Sequence, residues 1–509
     1  MGADETEVRT TAGVLRGIGE AGLAVFRGIP FAEPPVGALR FGAPRAVRSW
    51  EGVRKAMAYG PPPPQSAAFG MDALSLDAGD DWLTLNVWTP EPGPDSGLPV
   101  MVWLYGGAYS IGMASLPEYD GARLAREGVV VVTLNYRVGI EGFALIEGAP
   151  ANRGLLDQVA ALEWVRDNIR AFGGDPDQVT VFGESAGAGS VAALLAMPRA
   201  AGLFRRAVAQ SVPGTFFSAE LAADFTGAFA AELGLRPTVA DLASVAPDRL
   251  PAAADAVGAR MHTDAVGART GGFAERWGQV AYTSIPVSPV VDGEVLPVDP
   301  WQGLASGAGR DVELVVGHTR DEYRLFLALS GMLGEVTEDQ ADVALQVFAP
   351  GTADAYRAAF PAAGPEELYE RVHSDWLFRM PSLHLAEAQV AAGGRAYFYE
   401  LMWAAPGMGG GLGACHGLDV PLVFGNLDGG LPAMLLGETP PAETEQLSAH
   451  FRTAWTAFAS GNGPGWPAYD LERRLVQLFD TSPAVAAYPE EVSRGLWRGH
   501  VFGALPLGG

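Results

Sequence analysis

Cysteine, lysine and long apolar runs are scarce in this 509-residue chain, and each scarcity excludes a class of protein. Cys415 is the only cysteine, so no disulfide can form within the chain. No apolar run approaches the ~20 residues that a membrane-spanning helix needs. The first ten residues are polar and acidic, with no signal-peptide core. We therefore expect a soluble, cytoplasmic protein with no membrane partner.

The charge balance is strongly acidic. The chain has 59 acidic and 34 basic residues, of which only Lys55 is a lysine, for a net charge of −25. That balance argues against nucleic acid and anionic membranes as partners. We interpret the acidity as a solvated surface rather than as a field that steers cationic substrates. No obligate protein partner is evident.

The order of predicted elements indicates a parallel α/β fold. Short apolar runs predict strands at 100–104, 129–134 and 179–182, and a helix is expected at 155–172. Shorter strands are expected at 314–316 and 397–401. Two Ala-rich stretches, roughly 218–276 and 338–390, are predicted to be helical insertions that cap the sheet. With no repeat or long linker visible, we expect residues 1–509 to form a single domain.

The stretch Gly183-Glu184-Ser185-Ala186-Gly187 carries the strongest chemical signal. It fits G-x-S-x-G, the sharp strand-to-helix turn that lifts a nucleophilic serine out of an α/β-hydrolase sheet. A β-branched run precedes it, and an Ala- and Leu-rich run that stops at a proline follows it, as that turn requires. Ser185 is therefore the candidate nucleophile, and the Ala186 N–H, at a helix start, is expected to stabilise an oxyanion.

Several further segments resemble the type B carboxylesterase family, which includes bacterial para-nitrobenzyl esterases, mammalian carboxylesterases and cholinesterases. Residues 26–41 are similar to the opening of that family, residues 157–176 to the block that leads into the serine turn, and residues 466–469 to its closing motif. The resemblance implies an α/β-hydrolase fold, with a central, mostly parallel sheet, flanking helices and helical insertions that form a deep gorge.

The resemblance also implies the other two members of a catalytic triad. Residues 317–322 are similar to the segment that carries the acid, which gives that role to Glu322, and residues 413–417 are similar to the segment that carries the base, His416. Both follow predicted strands, where α/β sheets place their chemistry. The residues alone leave alternatives open: Asp321 as the acid, His318 as the base, or Ser185 as a buried turn serine.

An oxyanion hole is expected next to the triad. Residues 105–109 follow a predicted strand and resemble the family's HGGG-type loop, so the expected donors are the N–H groups of Gly107, Ala108 and Ala186. Two positions depart from that pattern: Tyr105 stands where histidine is frequent, and Ala108 replaces the third glycine. An alanine still donates its N–H, but its methyl group narrows the space for bulky alcohols.

A second resemblance locates the acyl pocket. Residues 289–294 are similar to a family segment that follows the acyl-pocket wall. The expected substrate-binding residues are Thr283, Ile285, Val287 and Phe326. Because the first three side chains are small, we expect acyl chains longer than acetyl to fit, unless Phe216, Phe217 or Phe326 refills the space.

Two ion pairs are implied by the same resemblance, Arg40 with Asp80 and Arg137 with Asp157, both with a structural role. Trp82 replaces a cysteine of the family's motif. The disulfide that secreted relatives form there is therefore impossible in this chain, in agreement with a cytoplasmic protein.

Together these residues predict a serine carboxylesterase that acts on small-molecule esters and uses no metal or cofactor. Glu184, beside Ser185, is expected either to shape the electrostatics of the site or to be purely structural. A non-catalytic adhesion protein of the same fold is disfavoured, since such proteins usually lack triad residues. An acyltransferase, lactonase or cyclase with the same triad remains the alternative.

Overall fold

The computed structural model describes residues 5–66, 79–266, 272–283 and 285–508. Within them the strands are β1 (Glu5–Arg9), β2 (Val14–Glu20), β3 (Leu23–Pro30), β4 (Val53–Lys55), β5 (Thr84–Thr89), β6 (Leu98–Leu104), β7 (Val130–Leu134), β8 (Gly174–Glu184), β9 (Arg206–Gln210), β10 (Phe216–Ser218), β11 (Val290–Val291), β12 (Glu313–Thr319), β13 (Ala396–Leu401), β14 (Leu475–Phe479), β15 (Ala484–Ala487) and β16 (Ala504–Leu505).

The α-helices of the same residues alternate with these strands or lie between them. They are α1 (Ala122–Ala125), α2 (Gly139–Phe143), α3 (Arg153–Asn168), α4 (Ala186–Ala196), α5 (Ala219–Glu232), α6 (Val239–Leu242), α7 (Leu250–Val266), α8 (Phe273–Trp277), α9 (Pro300–Ala305), α10 (Arg324–Leu329), α11 (Glu338–Phe348), α12 (Ala353–Ala359), α13 (Pro365–Ser374), α14 (Met380–Ala391), α15 (Asp419–Phe424), α16 (Gly430–Leu436), α17 (Ala442–Ala459) and α18 (Glu491–Trp497).

One large twisted sheet organises the chain, in the order β1-β2-β3-β5-β7-β6-β8-β9-β12-β13-β14-β15, with β4 beside β2. The strands from β7 to β14 along this order are parallel. The strands at the two ends of the order, β1, β2, β3 and β5 on one side and β15 on the other, pair in antiparallel fashion, whereas β4 is parallel to β2. A small parallel sheet, β11-β10-β16, lies apart from it. The prediction of a central, mostly parallel sheet with flanking helices is confirmed.

The central strands are continuous apolar runs because helices cover both faces of the sheet. Every residue of β7 is buried, and so are the last five residues of β6. In a sheet with one face exposed to solvent, buried and exposed side chains alternate along each strand, and these two strands show no such alternation. The strands and the helix predicted from the sequence all occur, with bounds shifted by a few residues.

The carboxyl ends of three parallel strands of the central sheet carry the predicted triad. Ser185 follows β8 directly, Glu322 stands three residues after β12, and His416 lies in the loop after β13. Since β9 separates β8 from β12 and β13 adjoins β12, the three residues meet at one edge of the sheet. This is the edge at which open α/β sheets bind ligands.

Both stretches predicted to be helical insertions contain helices. The first holds α5 to α8, although residues 267–271 lie outside the described residues, and the second holds α11 to α14. Between α13 and α14, residues Asp375–Arg379 form one π-helical turn. In the part of the chain that the structure describes, no helix is long and apolar enough to cross a membrane.

One predicted ion pair is present and the other is wrong. Arg137 and Asp157 are both fully buried and joined at 2.7 Å. Arg40, however, binds Glu141 at 2.6 Å and donates to the carbonyl groups of residues 243 and 245. Asp80 is exposed to solvent, so a buried guanidinium gains more from the buried carboxylate of Glu141.

Candidate active site

The turn that carries Ser185 has the strained geometry that the motif predicts. Ser185 has φ 55° and ψ −125°, a conformation that few residues other than glycine adopt. A Cβ atom at Gly187 would lie 2.0 Å from the Leu104 carbonyl oxygen, and one at Gly183 would lie 2.6 Å from the Gly187 backbone. The two glycines are therefore required for the strand and the helix to approach so closely.

His416 and Glu322 form the hydrogen bond expected of a base and its acid. His416 Nδ1 lies 2.5 Å from Glu322 Oε2, and the backbone N–H of His416 donates to the Glu322 carbonyl at 3.2 Å. The other carboxylate oxygen of Glu322 accepts from the Ser211 hydroxyl at 2.6 Å and from the Thr319 N–H at 2.9 Å. Glu322 is thus fixed on both oxygens and holds the imidazole by Nδ1.

The two alternatives that the residues left open bind elsewhere. Asp321 accepts from the Ala414 N–H at 2.8 Å and pairs with Arg320 at 3.2 Å, so it braces the loop before His416 without reaching the ring. His318 is fully buried between the Thr319 carbonyl and the Tyr488 hydroxyl, both at 2.9 Å. Burial lowers the pKa of His318 to about 4, with a smaller contribution from the Arg379 charge.

Glu184 is the carboxylate nearest the free nitrogen of the His416 ring. His416 Nε2 lies 3.1 Å from Glu184 Oε1, and both side chains are more than nine-tenths buried. His416 Nε2 completes no hydrogen bond with any described residue, Ser185 included. Catalytic hydrogen bonds are frequently incomplete before substrate binds. Of the two roles foreseen for Glu184, this contact favours the electrostatic one.

The protonation of this cluster follows from burial and charge together. Burial disfavours the imidazolium, but the Glu184 and Glu322 carboxylates outweigh it and raise the pKa of His416 to about 9. Burial raises the pKa of Glu184 to about 8, against the effect of the His416 charge. Burial also opposes ionisation of Glu322, yet the His416 charge and the hydrogen bonds to Glu322 lower its pKa. Glu322 is therefore ionised, and His416 and Glu184 form a coupled buried pair in which the charge of each group changes the proton affinity of the other.

Two aromatic rings cover His416. The Phe378 ring stacks on the imidazole with centroids 4.1 Å apart and planes inclined by 25°. Phe326, a predicted substrate-contact residue, lies 5.3 Å from the imidazole and 6.0 Å from Phe378. Phe378 belongs to the π-helical turn, a feature that is frequent at functional sites. The two rings pack on the imidazole, which is almost fully buried.

The predicted oxyanion loop lies against the serine turn. A Cβ atom at Gly106 would lie 2.8 Å from Glu184 Oε2 and 3.0 Å from Ser185 Cβ. Gly107 and Ala108 have φ values of 112° and 51°, so the chain turns sharply beside Ser185. Among the described residues the N–H groups of Gly107, Ala108 and Ala186 donate no hydrogen bond. Three donors are therefore available for a ligand next to the serine.

Tyr105, which stands where the family frequently has histidine, faces away from this site. It stacks on Tyr136 at 4.3 Å, and the two residues exchange hydrogen bonds: each hydroxyl donates to the other residue's carbonyl, at 3.0 and 2.6 Å. Both rings are fully buried. The substitution therefore anchors the loop in the core and leaves the donors free.

The predicted acyl wall is only partly connected to the triad in the structure. Among its four residues, Phe326 contacts the His416 ring. Thr283 is half-buried and donates its hydroxyl to the Val280 carbonyl at 2.8 Å, Ile285 is half-buried, and Val287 is buried. Among the described residues, no hydrogen bond or ring contact joins these three to the triad, so their role stays a prediction. Phe216 and Phe217 pack on Trp301 and Phe225 instead.

Ser211 and Phe378 are site residues that sequence reasoning missed. Ser211 is the first residue after β9. A polar residue just after the carboxyl end of a parallel strand indicates a possible site residue, but the sequence analysis predicts no strand there. Nothing in the local sequence marks Phe378 as a site residue, because an aromatic residue in an Ala-rich helical stretch is expected to lie in the hydrophobic core. Only the fold brings the π-helical turn to His416.

These residues bring together a serine hydroxyl, an imidazole held by an ionised carboxylate, and three N–H groups that have no acceptor among the described residues. A model described as "Carboxylesterase family" matches residues 4–494 of the chain. The "Para-nitrobenzyl esterase" of Bacillus subtilis (strain 168) is 38% identical over 511 residues, which covers 96% of this chain and 97% of that protein.

A second relative and a solved structure also match almost the whole chain. The "Phenmedipham hydrolase" of Pseudarthrobacter oxydans is 35% identical over 506 residues and covers 95% of this chain and 98% of its own. A solved structure of a PNB esterase superposes with a TM-score of 0.82 at 36% identity, covering 97% of this chain and 99% of that one.

Proposed function

This chain belongs to the carboxylesterase family and is a carboxylic ester hydrolase, and we propose that Ser185, His416 and Glu322 are its catalytic triad. The strongest support is the 2.5 Å hydrogen bond between His416 Nδ1 and Glu322, because it fixes the imidazole next to the strained turn of Ser185. In this arrangement Nε2 is the only ring nitrogen left to take a proton.

The proposed reaction has two halves. Ser185 Oγ attacks the ester carbonyl carbon and passes its proton to His416 Nε2, while the carbonyl oxygen becomes an oxyanion between the N–H groups of Gly107, Ala108 and Ala186. Collapse of this intermediate breaks the bond to the alcohol, which leaves with the proton from Nε2. Water then attacks the acyl-enzyme, with Nε2 again as base, and the proton finally returns to Ser185 Oγ.

The substrate is proposed to be a small neutral ester. The relative named for para-nitrobenzyl ester hydrolysis supports an aromatic ester as a first assay substrate. The pocket for the acyl chain is proposed to involve Thr283, Ile285, Val287 and Phe326. The whole chain is proposed to act as one domain, with its helical insertions around the site.

We also propose that the protein is a cytoplasmic bacterial enzyme. Cys415, its only cysteine, is buried and unpaired, so nothing in its folding needs an oxidising compartment. The similarity to the esterase of B. subtilis supports a bacterial source.

The experiment is a panel of para-nitrophenyl esters of increasing acyl length, run with the purified protein and with Ser185→Ala. We expect turnover by the former and a loss of about 10⁴-fold or more in the variant. Near-normal turnover by Ser185→Ala would contradict the assignment of the nucleophile.

Product analysis separates hydrolysis from the alternative of acyl transfer, lactone chemistry or cyclisation, because all of these share the acyl-enzyme. In the presence of a competing alcohol or amine, we expect free carboxylic acid as the main product. A dominant transfer product at low acceptor concentration would favour an acyltransferase.

A further inference from the structure

A cavity at the opposite edge of the sheet gathers four arginines. It has a volume of about 630 Å³, and its walls include Arg205, Arg206, Arg310 and Arg395 together with Asp311 and Glu313. We call these six residues and the space between them the arginine cavity. Four arginines and two carboxylates leave two positive charges in excess, in a chain whose net charge is −25.

The parallel sheet itself assembles this cavity. Arg206 is the first residue of β9, Glu313 is the first of β12 and pairs with Arg206 in register, and Arg395 directly precedes β13. These are the amino ends of strands whose carboxyl ends carry the triad. Six steps along β12 separate the two edges, about 20 Å at the rise of a strand. The arginine cavity is thus distinct from the esterase site.

The protein holds Arg206 in place, and Arg395, whose side chain is 62% exposed, shares its carboxylate partner. Glu313 bridges Arg206 at 3.4 Å and Arg395 at 3.0 Å, and Arg206 also donates to the Ala459 carbonyl at 3.1 Å. A Cβ atom at Gly461 would lie 2.5 Å from Arg206 Nη2, so this glycine leaves the room that the guanidinium occupies. Such restraint lowers the entropy lost when the Arg206 guanidinium group binds a ligand.

The other two arginines have charge to offer a ligand. Arg205 is exposed, and within the described residues it has no carboxylate within 4.0 Å. Of the carboxylates that the structure describes, Asp311 alone lies within 4.0 Å of Arg310, and both side chains are more than half exposed. An exposed pair at that distance contributes little. Two guanidinium groups of the arginine cavity are therefore available to a ligand, in addition to the two that pair with Glu313.

We propose that the arginine cavity binds a small, multiply charged phosphate compound. One guanidinium group donates two parallel hydrogen bonds to two oxygens of a phosphate. Several guanidinium groups around one concave space can therefore bind an anion that carries more than one charge. The volume suits a ligand larger than a single phosphate. A long polyanion such as nucleic acid is disfavoured by the strongly negative charge of the rest of the chain.

The test is calorimetric titration of the full-length protein with inorganic pyrophosphate at low salt. To exclude binding at the esterase site, the titration is repeated after an organophosphate has blocked the active serine. We expect saturable binding in both samples, weakened by added salt. Binding that disappears in the blocked protein, or none up to about 5 mM pyrophosphate, would overturn the proposal.

Matched variants locate the site. In Arg205→Gln/Arg310→Gln we expect the Kd to weaken by about tenfold or more, since two charge-assisted contacts are lost. The control Arg48→Gln/Arg236→Gln removes the same charge from side chains that are 86% and 76% exposed elsewhere, and should change the Kd less than about twofold. Equal weakening in both double variants would show non-specific attraction and overturn the proposal.

A third variant tests the sign of the charge effect and does not depend on removing an arginine. Asp311→Asn deletes a repulsive, exposed carboxylate at the rim, so pyrophosphate should bind more tightly. Unchanged or weaker binding would contradict the proposed geometry. Citrate serves as a carboxylate probe: if citrate binds and pyrophosphate does not, the phosphate assignment is wrong. Ester turnover and thermal unfolding of each variant verify that the fold is intact.

Discussion

Replacing Glu184 with glutamine should move the acidic limb of the pH–rate profile to lower pH. The carboxylate lies 3.1 Å from His416 Nε2 in a buried site, and it stabilises the imidazolium. An opposite charge at such a distance raises a pKa by about 1–3 units. The neutral amide keeps the shape and removes the charge, so the pKa of His416 should fall from about 9 by at least about one unit.

The expected change in rate has a definite form. Catalysis needs neutral His416 in the free enzyme, but the transition state contains the imidazolium. Well below the limb, the ground state and the transition state both carry the imidazolium, so both lose the Glu184 interaction and kcat/KM should hardly change. Above the limb only the transition state loses it, so the plateau should fall about tenfold for each unit of pKa shift, or about 1.4 kcal/mol.

The assay is kcat/KM for one para-nitrophenyl ester between pH 5 and pH 10, where the profile reports the free enzyme. Glu118→Gln is the matched control, because Glu118 is also a buried carboxylate but has no contact with His416 among the described residues. A limb that stays in place in Glu184→Gln, moves to higher pH, or shifts equally in Glu118→Gln would refute this reasoning.

Three further predictions concern the acid, the substrate and the core. Glu322→Gln should lower kcat by at least about 10³-fold, whereas Asp321→Asn should cost far less; comparable losses would mean that the acid is misassigned. On esters of one phenol, kcat/KM should rise from acetate to butyrate, by up to about fourfold for each buried methylene, and a clear preference for acetate would exclude the open acyl pocket. Asp157→Asn leaves the buried Arg137 without its partner and should cost about 3–5 kcal/mol of unfolding free energy in urea; a loss no larger than that of the exposed control Asp167→Asn would contradict it.

The serine turn is the part of the site that local sequence fixes most strongly. Its strained backbone needs small neighbours, and the required glycines at 183 and 187 are visible in the sequence. The strands on either side are continuous apolar runs, so their existence and parallel pairing follow from composition and order. For these reasons the fold class and the position of Ser185 were predictable.

Contacts between distant segments were less accessible. His416 and Glu322 are 94 residues apart, and only a family resemblance, not spacing, suggested that they meet. Arg40 illustrates the limit: the family resemblance implies Asp80 as its partner, but burial selects Glu141, 101 residues away. Packing decides which of several carboxylates a buried guanidinium reaches, and sequence patterns carry no such information.

Ser211 and Phe378 show a second limit. Ser211 contacts the site by a hydrogen bond to Glu322, and Phe378 by stacking on the ring of His416. Neither contact requires a recognisable sequence motif. The π-helical turn that carries Phe378 arises where Arg379 binds Asp375 one turn away and the carbonyl of residue 320. Such an arrangement depends on partners that only the tertiary structure brings together.

The central claim is that Ser185 is the nucleophile, and the covalent adduct tests it most directly. The protein is treated with a serine-directed organophosphate, digested, and analysed by tandem mass spectrometry for the modified residue. The account predicts one stoichiometric adduct on Ser185 that forms in parallel with loss of esterase activity and is absent from Ser185→Ala. An adduct on another serine, or full inactivation with Ser185 unmodified, would contradict it.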